Sequence, residues 1–193
     1  MKYGNWINHT DDYTGTGLFP EEVTEINPLN GLEYRRGKGN TYAEPFEIRD
    51  NYMLKLVKEN MPDRKLNVLE LGSGRGGLSR FLAKNLLDID RLEKLTALNI
   101  SDKENEMNMQ RAQKLGIPAT MFDVLNVDFD NLMYEEETFD LIFSNDAFMH
   151  SVDQGKLMMH LASLLKKDGI IVFSDIIEDP KVDKQDPKLV DFY

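Results

Sequence analysis

The sequence predicts an α/β protein in which a parallel sheet carries helices on both faces. Three observations predict it. Short apolar runs alternate with amphipathic stretches between Ala43 and Ser174. A glycine cluster, Gly72, Gly74, Gly76 and Gly77, stands where the first of those runs passes into a helix. Polar residues then follow the ends of later runs, where open parallel sheets gather their ligands.

Taken in order, residues 1–42 are rich in Gly, Asn, Thr and aromatics and have weak periodicity, so they read as an irregular arm or cap. From Ala43 the pattern changes: Phe46, Ile48, Tyr52, Met53, Leu56 and Val57 recur at helical spacing until about Asn60, and Pro62-Asp63 closes the helix. Leu66–Leu71 is a first apolar strand, and Gly77–Leu87 a helix with Leu78, Phe81, Leu82 and Leu86 on one side. Leu95–Ile100 is a second strand. Ser101 is placed to cap a helix over Asp102–Leu115, and Gly116 to stop it. Ala119–Phe122, Phe139–Ser144 and Gly169–Ser174 are the third, fourth and fifth strands, with a Leu-rich helix over Gln154–Lys166 before the fifth. Strands alternating with helices imply right-handed crossovers and parallel pairing. Residues 43–176 therefore form the core, and 177–193 a tail with no further strand.

Composition narrows the function. A chain of 193 residues can build one domain with a full core. No apolar run approaches the roughly 20 residues that span a bilayer, and Met1–Trp6 lacks the apolar stretch of a secretory leader. A cytoplasmic location is expected. There is no cysteine, which removes disulfides and thiolate metal sites, and no metal site is expected. A net charge of −11 repels phosphate backbones and argues against nucleic-acid binding. The same field attracts cationic ligands, although acidity also serves solubility.

The glycine loop fits two patterns. Gly72, Gly74 and Gly77 satisfy G-x-G-x-x-G, the dinucleotide template. Glu70, Gly72, Gly74 and Gly76 satisfy an acid-x-G-x-G-x-G pattern, in which the carboxylate suits a positive amino group on the ligand. Asn99 ends the second strand, where a carboxylate ordinarily accepts from ribose hydroxyls; an amide can accept one such bond and donate another. Asp123 follows the third strand and faces a ligand or caps the next turn. After the fourth strand, Asp146 and His150 stand at i and i+4, sharing a face if the segment is helical. His150 is the side chain suited to take a proton near neutral pH. His9 and His160 read as incidental.

With these residues in view, the run Leu66–Asp175 resembles the class I S-adenosylmethionine (SAM) methyltransferase core, whose glycine loop is the acid-x-G-x-G-x-G pattern. Asn99-Ile100, the run Ser144–Ser151 and Ser174-Asp175 are similar to the sarcosine/dimethylglycine N-methyltransferases. Asp146-Ala147-Phe148-Met149-His150 also resembles the phosphoethanolamine methyltransferases. The resemblance implies a Rossmann-like fold, SAM as cofactor and S-adenosylhomocysteine as product. It implies Glu70, Gly72, Ser73, Gly74 and Gly76 at the methionine end, Asn99 and Ile100 at the ribose, Asp123 and Val124 at the adenine, and Asn145 beside the donor. It places His150 at the active site, often paired with an N-terminal tyrosine. Tyr3 and Tyr13 are candidates beside Trp6, and Tyr13 is taken as the second catalytic position.

Those families continue past the fifth strand with a lid and an antiparallel strand pair, which this sequence lacks. The expectation is therefore a truncated chain, or a second copy or partner chain that completes the sheet. The function implied is methyl transfer to a small-molecule acceptor, first an amine such as sarcosine, dimethylglycine or phosphoethanolamine. The alternatives are a non-catalytic or partner-dependent SAM-binding module, a methyltransferase for a lipid or quinone acceptor, and a nicotinamide-dependent oxidoreductase.

Overall fold

Leu66, Val68, Leu69 and Leu71 are all fully buried, and this largely apolar run is the middle strand of the main sheet. A strand covered on both faces has no polar side to show. The computed structural model describes residues 23–26, 33–36 and 43–174. Within them lie seven strands: β1 (Val23–Ile26), β2 (Glu33–Arg36), β3 (Leu66–Leu71), β4 (Leu92–Asn99), β5 (Phe122–Asn126), β6 (Phe139–Asn145) and β7 (Leu165–Ser174). The helices are α1 (Ala43–Asn60), α2 (Gly77–Asp88), α3 (Asp102–Lys114) and α4 (Gln154–Leu164), with short 3-10 turns at Phe129–Asn131 and Phe148–His150.

The main sheet has the order β5-β4-β3-β6-β7, and every neighbouring pair is parallel. The chain starts at the centre, winds outward through β4 to β5, then returns to the other side of β3. This is a Rossmann-like arrangement, and the reversal beside β3 opens a crevice at the carboxyl ends of the strands.

Side chains alternate across the sheet with period two. Val68 lies opposite Leu95 and Leu141, and all three join the core shared with α1, α2 and α3. Leu69 lies opposite Ile142, and both join the other core, under α4 and the first 3-10 turn. Glu70 shares the parity of Val68 and so faces α2.

Asp140 closes the end of the sheet opposite the crevice. Its carboxylate is fully buried. It accepts from Arg64 Nη2 at 2.7 Å, Lys166 Nζ at 2.8 Å and the Asn67 amide at 2.8 Å. Burial alone would raise its pKa. The hydrogen bonds from Lys166, Asn67 and Arg64 outweigh it and hold the carboxyl below the usual range.

The structure departs from the sequence reading in four places. Within the arm, β1 and β2 form an antiparallel pair; four-residue strands of mixed polarity are too short for periodicity to reveal. β5 begins at Phe122 rather than ending there, because Pro118–Met121 closes a turn, with the Met121 amide donating to the Pro118 carbonyl at 2.9 Å. β7 begins at Leu165: Lys166-Lys167-Asp168 is polar yet extended, and α4 ends two residues early. β4 runs from Leu92 to Asn99, leaving Ile100 just past its end. The cap of α3 is as expected: Ser101 Oγ accepts from the Glu104 amide, and Gly116 stands at φ +72° beyond the helix.

Candidate active site

Four loops meet at the crevice. The first, Gly72–Gly76, has left-handed glycines at 72, 74 and 76. Two of them are forced by their neighbours. A Cβ on Gly72 would lie 2.3 Å from Ala147 Cβ, and one on Gly76 about 2 Å from the Asn108 carboxamide, closest atom at 1.9 Å. Gly77, which the dinucleotide template uses for close helix packing, has nothing within 4 Å of such a Cβ. Gly72 serves either pattern, but of the two glycines that distinguish them it is Gly76, of the acid-x-G-x-G-x-G pattern, that is tight.

The loop is held from behind. The Ser73 amide donates to the Leu98 carbonyl and the Gly76 amide to the Ser73 carbonyl, both at 2.8 Å. The buried Arg80 guanidinium donates to the Arg75 carbonyl at 2.5 Å and to Asn108 Oδ1 at 2.9 Å, tying the loop to α3. Glu70 is 3% exposed and accepts from Ser79 Oγ of α2. A buried carboxylate so fixed is oriented before any ligand arrives.

Asn99 ends β4 as expected, and its amide donates to Glu104 Oε2 at 3.3 Å. Ile100 follows, half-buried. Glu104, in the first turn of α3, is buried and lies 3.6 Å from Arg75 Nε of the glycine loop. The sequence reading missed Glu104. Its only signal is its place, three residues after the capping Ser101, which turns it back toward the strand end.

Asp123 and Val124, expected at the adenine, lie inside β5 rather than beyond its end. Asp123 is the second residue of β5, half-buried and paired with Lys94 Nζ at 2.5 Å. Val124 follows it inside the strand. The acid just beyond the end of β5 is Asp128, which caps the Phe129–Asn131 turn and accepts from the Asp130 amide at 3.0 Å. Phe129 Cε1 lies 3.8 Å from where a Cβ on Gly72 would stand, so this turn abuts the glycine loop.

At the end of β6, Asn145 donates to Asp146 Oδ2 at 2.8 Å. Asp146 has φ +53° and lies in a turn, not a helix, so the shared-face argument for Asp146 and His150 does not hold. His150 ends the three-residue 3-10 turn, half-buried, with its amide bonded to the Ala147 carbonyl at 3.0 Å. Phe148 stacks on Phe173 of β7 with centroids 4.4 Å apart. Tyr13, with Tyr3 and Trp6, lies outside the described residues.

Two buried polar atoms of this site, Ser73 Oγ and Asn145 Oδ1, have no hydrogen-bond partner among the described residues. Buried polar groups are seldom left so, and a ligand is one way to satisfy them. Among the described residues no group of His, Asp or Glu is arranged to hold a metal ion, and no helix is long and apolar enough to cross a membrane.

The glycine cradle at the centre of a parallel sheet, with carboxylates beside it, defines the class, and comparison with known proteins agrees. The family model described as "Methyltransferase domain" matches residues 62–190, and the chain belongs to that family. It is 32% identical over 108 residues to a sarcosine/dimethylglycine N-methyltransferase of Halorhodospira halochloris, a match covering 56% of this chain and 37% of that one. It is 37% identical over 109 residues to a protein of the same name from Aphanothece halophytica, again covering 56% of this chain and 37% of the other. The matched region thus spans little more than a third of these relatives. A crystal structure from Galdieria sulphuraria, provisionally described as a sarcosine dimethylglycine methyltransferase, superposes with a TM-score of 0.64 at 23% identity. That superposition covers 97% of this chain and 65% of the other, and it shows the shared fold.

Proposed function

We propose that the chain binds SAM in the crevice and transfers its methyl group to a small amine such as sarcosine, dimethylglycine or phosphoethanolamine. One observation carries the cofactor reading: Gly76, which only the acid-x-G-x-G-x-G pattern uses, is under steric compulsion and Gly77 is not, and the buried Glu70 carboxylate precedes the loop. A dinucleotide template would compel Gly77 instead. The orphaned Ser73 Oγ and Asn145 Oδ1 fit a polar ligand at the same place.

When bound, SAM supplies a methyl group already activated on its sulfonium, so the protein's work is to bind, align and exclude water. Glu70 holds the ammonium of the methionine end, directly or through water. Glu104 supplies the carboxylate that Asn99 lacks, and the two share the ribose hydroxyls. On the adenine side, Asp128 at the strand end takes the role first given to Asp123 and Val124. His150 positions the acceptor or removes its proton, with Tyr13 as its proposed companion.

The relatives' names support a small amine as acceptor. The test is methyl transfer from labelled SAM to glycine, sarcosine, dimethylglycine and phosphoethanolamine, with His150→Ala as control. Turnover on at least one amine, lowered about 100-fold or more in the variant, is expected. Tight SAM binding with no turnover on any amine favours the partner-dependent binding module, and unchanged turnover in His150→Ala removes that residue from the mechanism.

A further inference from the structure

We infer that Asp130 is a positioning residue that ties the His150 turn to the cofactor side of the crevice. Its two carboxylate oxygens are divided between consecutive residues just after His150. Oδ1 accepts from Ser151 Oγ at 2.6 Å, and Oδ2 from the Val152 amide at 2.9 Å. Asp130 sits in the 3-10 turn capped by Asp128, and its neighbour Phe129 abuts Gly72. Gly72 in turn abuts Ala147, the residue that opens the His150 turn. The three loops therefore lie together: Ala147 and Phe129 both stand against the place a Gly72 side chain would take, and Asp130 bonds the Phe129 turn to the residues just after His150.

The His150 turn is a single 3-10 turn, which stabilises itself poorly, and beside the stack of Phe148 on Phe173 the carboxylate of Asp130 holds the residues that follow it. Two bonds to an ionised carboxylate are stronger than neutral ones and fix direction as well as distance. A ligand that settles against the Phe129 turn then bears on His150 through Asp130. This inference rests on the proposed reading of His150 as the acceptor-side residue and of the crevice as a SAM site.

The test uses the full chain with isotopically labelled histidine. Side-chain NMR follows His150, assigned by loss of its signal in His150→Gln, while His160 serves as an internal reference. S-adenosylhomocysteine affinity is measured by calorimetry on the same samples. In wild type the His150 signal is narrow and shifts when S-adenosylhomocysteine binds. In Asp130→Ala it broadens or moves to the position of an unstructured histidine, while His160 is unchanged and affinity stays within about threefold. Acceptor turnover falls by about 10-fold or more, with KM for SAM little changed. Ser151→Ala, which removes one of the two bonds, gives an intermediate result and carries the test if Asp130→Ala does not fold. An unaltered His150 signal in Ser151→Ala and Asp130→Asn overturns the inference. So does loss of S-adenosylhomocysteine affinity in step with melting temperature, which marks Asp130 as a general fold residue. If wild type binds no S-adenosylhomocysteine, the cofactor reading fails and the inference with it.

Discussion

Single glycines in the loop have opposite duties although they are neighbours in sequence. Gly76 is enclosed by Asn108 and stands at φ +72°, whereas Gly77 begins α2 with open space where a side chain would go. Gly76→Ala meets both a left-handed backbone and a blocked position, so we expect a loss of about 1–3 kcal/mol and weaker S-adenosylhomocysteine binding. Gly77→Ala should leave binding within about twofold and hold or raise the melting temperature, since Ala outranks Gly in a helix by up to about 1 kcal/mol. Paired thermal melts and titrations check both; damage from Gly77→Ala would restore the dinucleotide template. Glu104 makes a second residue-scale prediction. Glu104→Gln keeps the shape and removes the charge, and S-adenosylhomocysteine affinity should fall about 10-fold, or roughly 1.4 kcal/mol. Neither Glu104 nor Asp128 was legible in the sequence. Each lies just past a strand end, in the first turn of a helix or at the cap of a short turn, where neither periodicity nor a motif marks it.

Elements behaved according to how strongly their neighbours dictate them. β3 and β6, buried on both faces, read directly from their apolar runs. β5 lies at one edge of the sheet, half-exposed, and its boundary slipped by several residues, which carried Asp123 and Val124 into the strand interior. β7 was misjudged at its start because Lys166 owes its extended backbone to a partner in space: its ammonium reaches the buried Asp140. That contact staples β3, β6 and β7 at the end away from the site. Asp140→Asn should therefore destabilise the fold by about 1–3 kcal/mol at pH 7 without altering S-adenosylhomocysteine binding. The sign with pH follows from the lowered pKa of Asp140. Its stabilisation is complete above the unfolded value of about 4, and is lost as pH falls from there through the lower folded value. Denaturant melts of both proteins from pH 7 to pH 3 should show the gap narrowing only below about pH 4. A gap independent of pH would mean that the ion pairs do not provide it.

For the whole molecule, the alternation of strand and helix was enough to predict a parallel sheet. Its centre-out order agrees with a Rossmann-like fold. Legibility was poorest in the arm, where the β1–β2 pair escaped notice. The site is a product of this global order: the glycine loop, Asn99, Asp128 and His150 come from distant parts of the chain and share only the carboxyl edge of one sheet. Fold and family membership do not by themselves establish a reaction, so the central claim is best tested at the cofactor. Calorimetric titration of the purified chain with S-adenosylhomocysteine, and separately with NADH, decides it. The account predicts one S-adenosylhomocysteine site with a Kd on the order of 1–100 μM and no heat from NADH. Saturable NADH binding, or no S-adenosylhomocysteine binding at millimolar concentration, would contradict it.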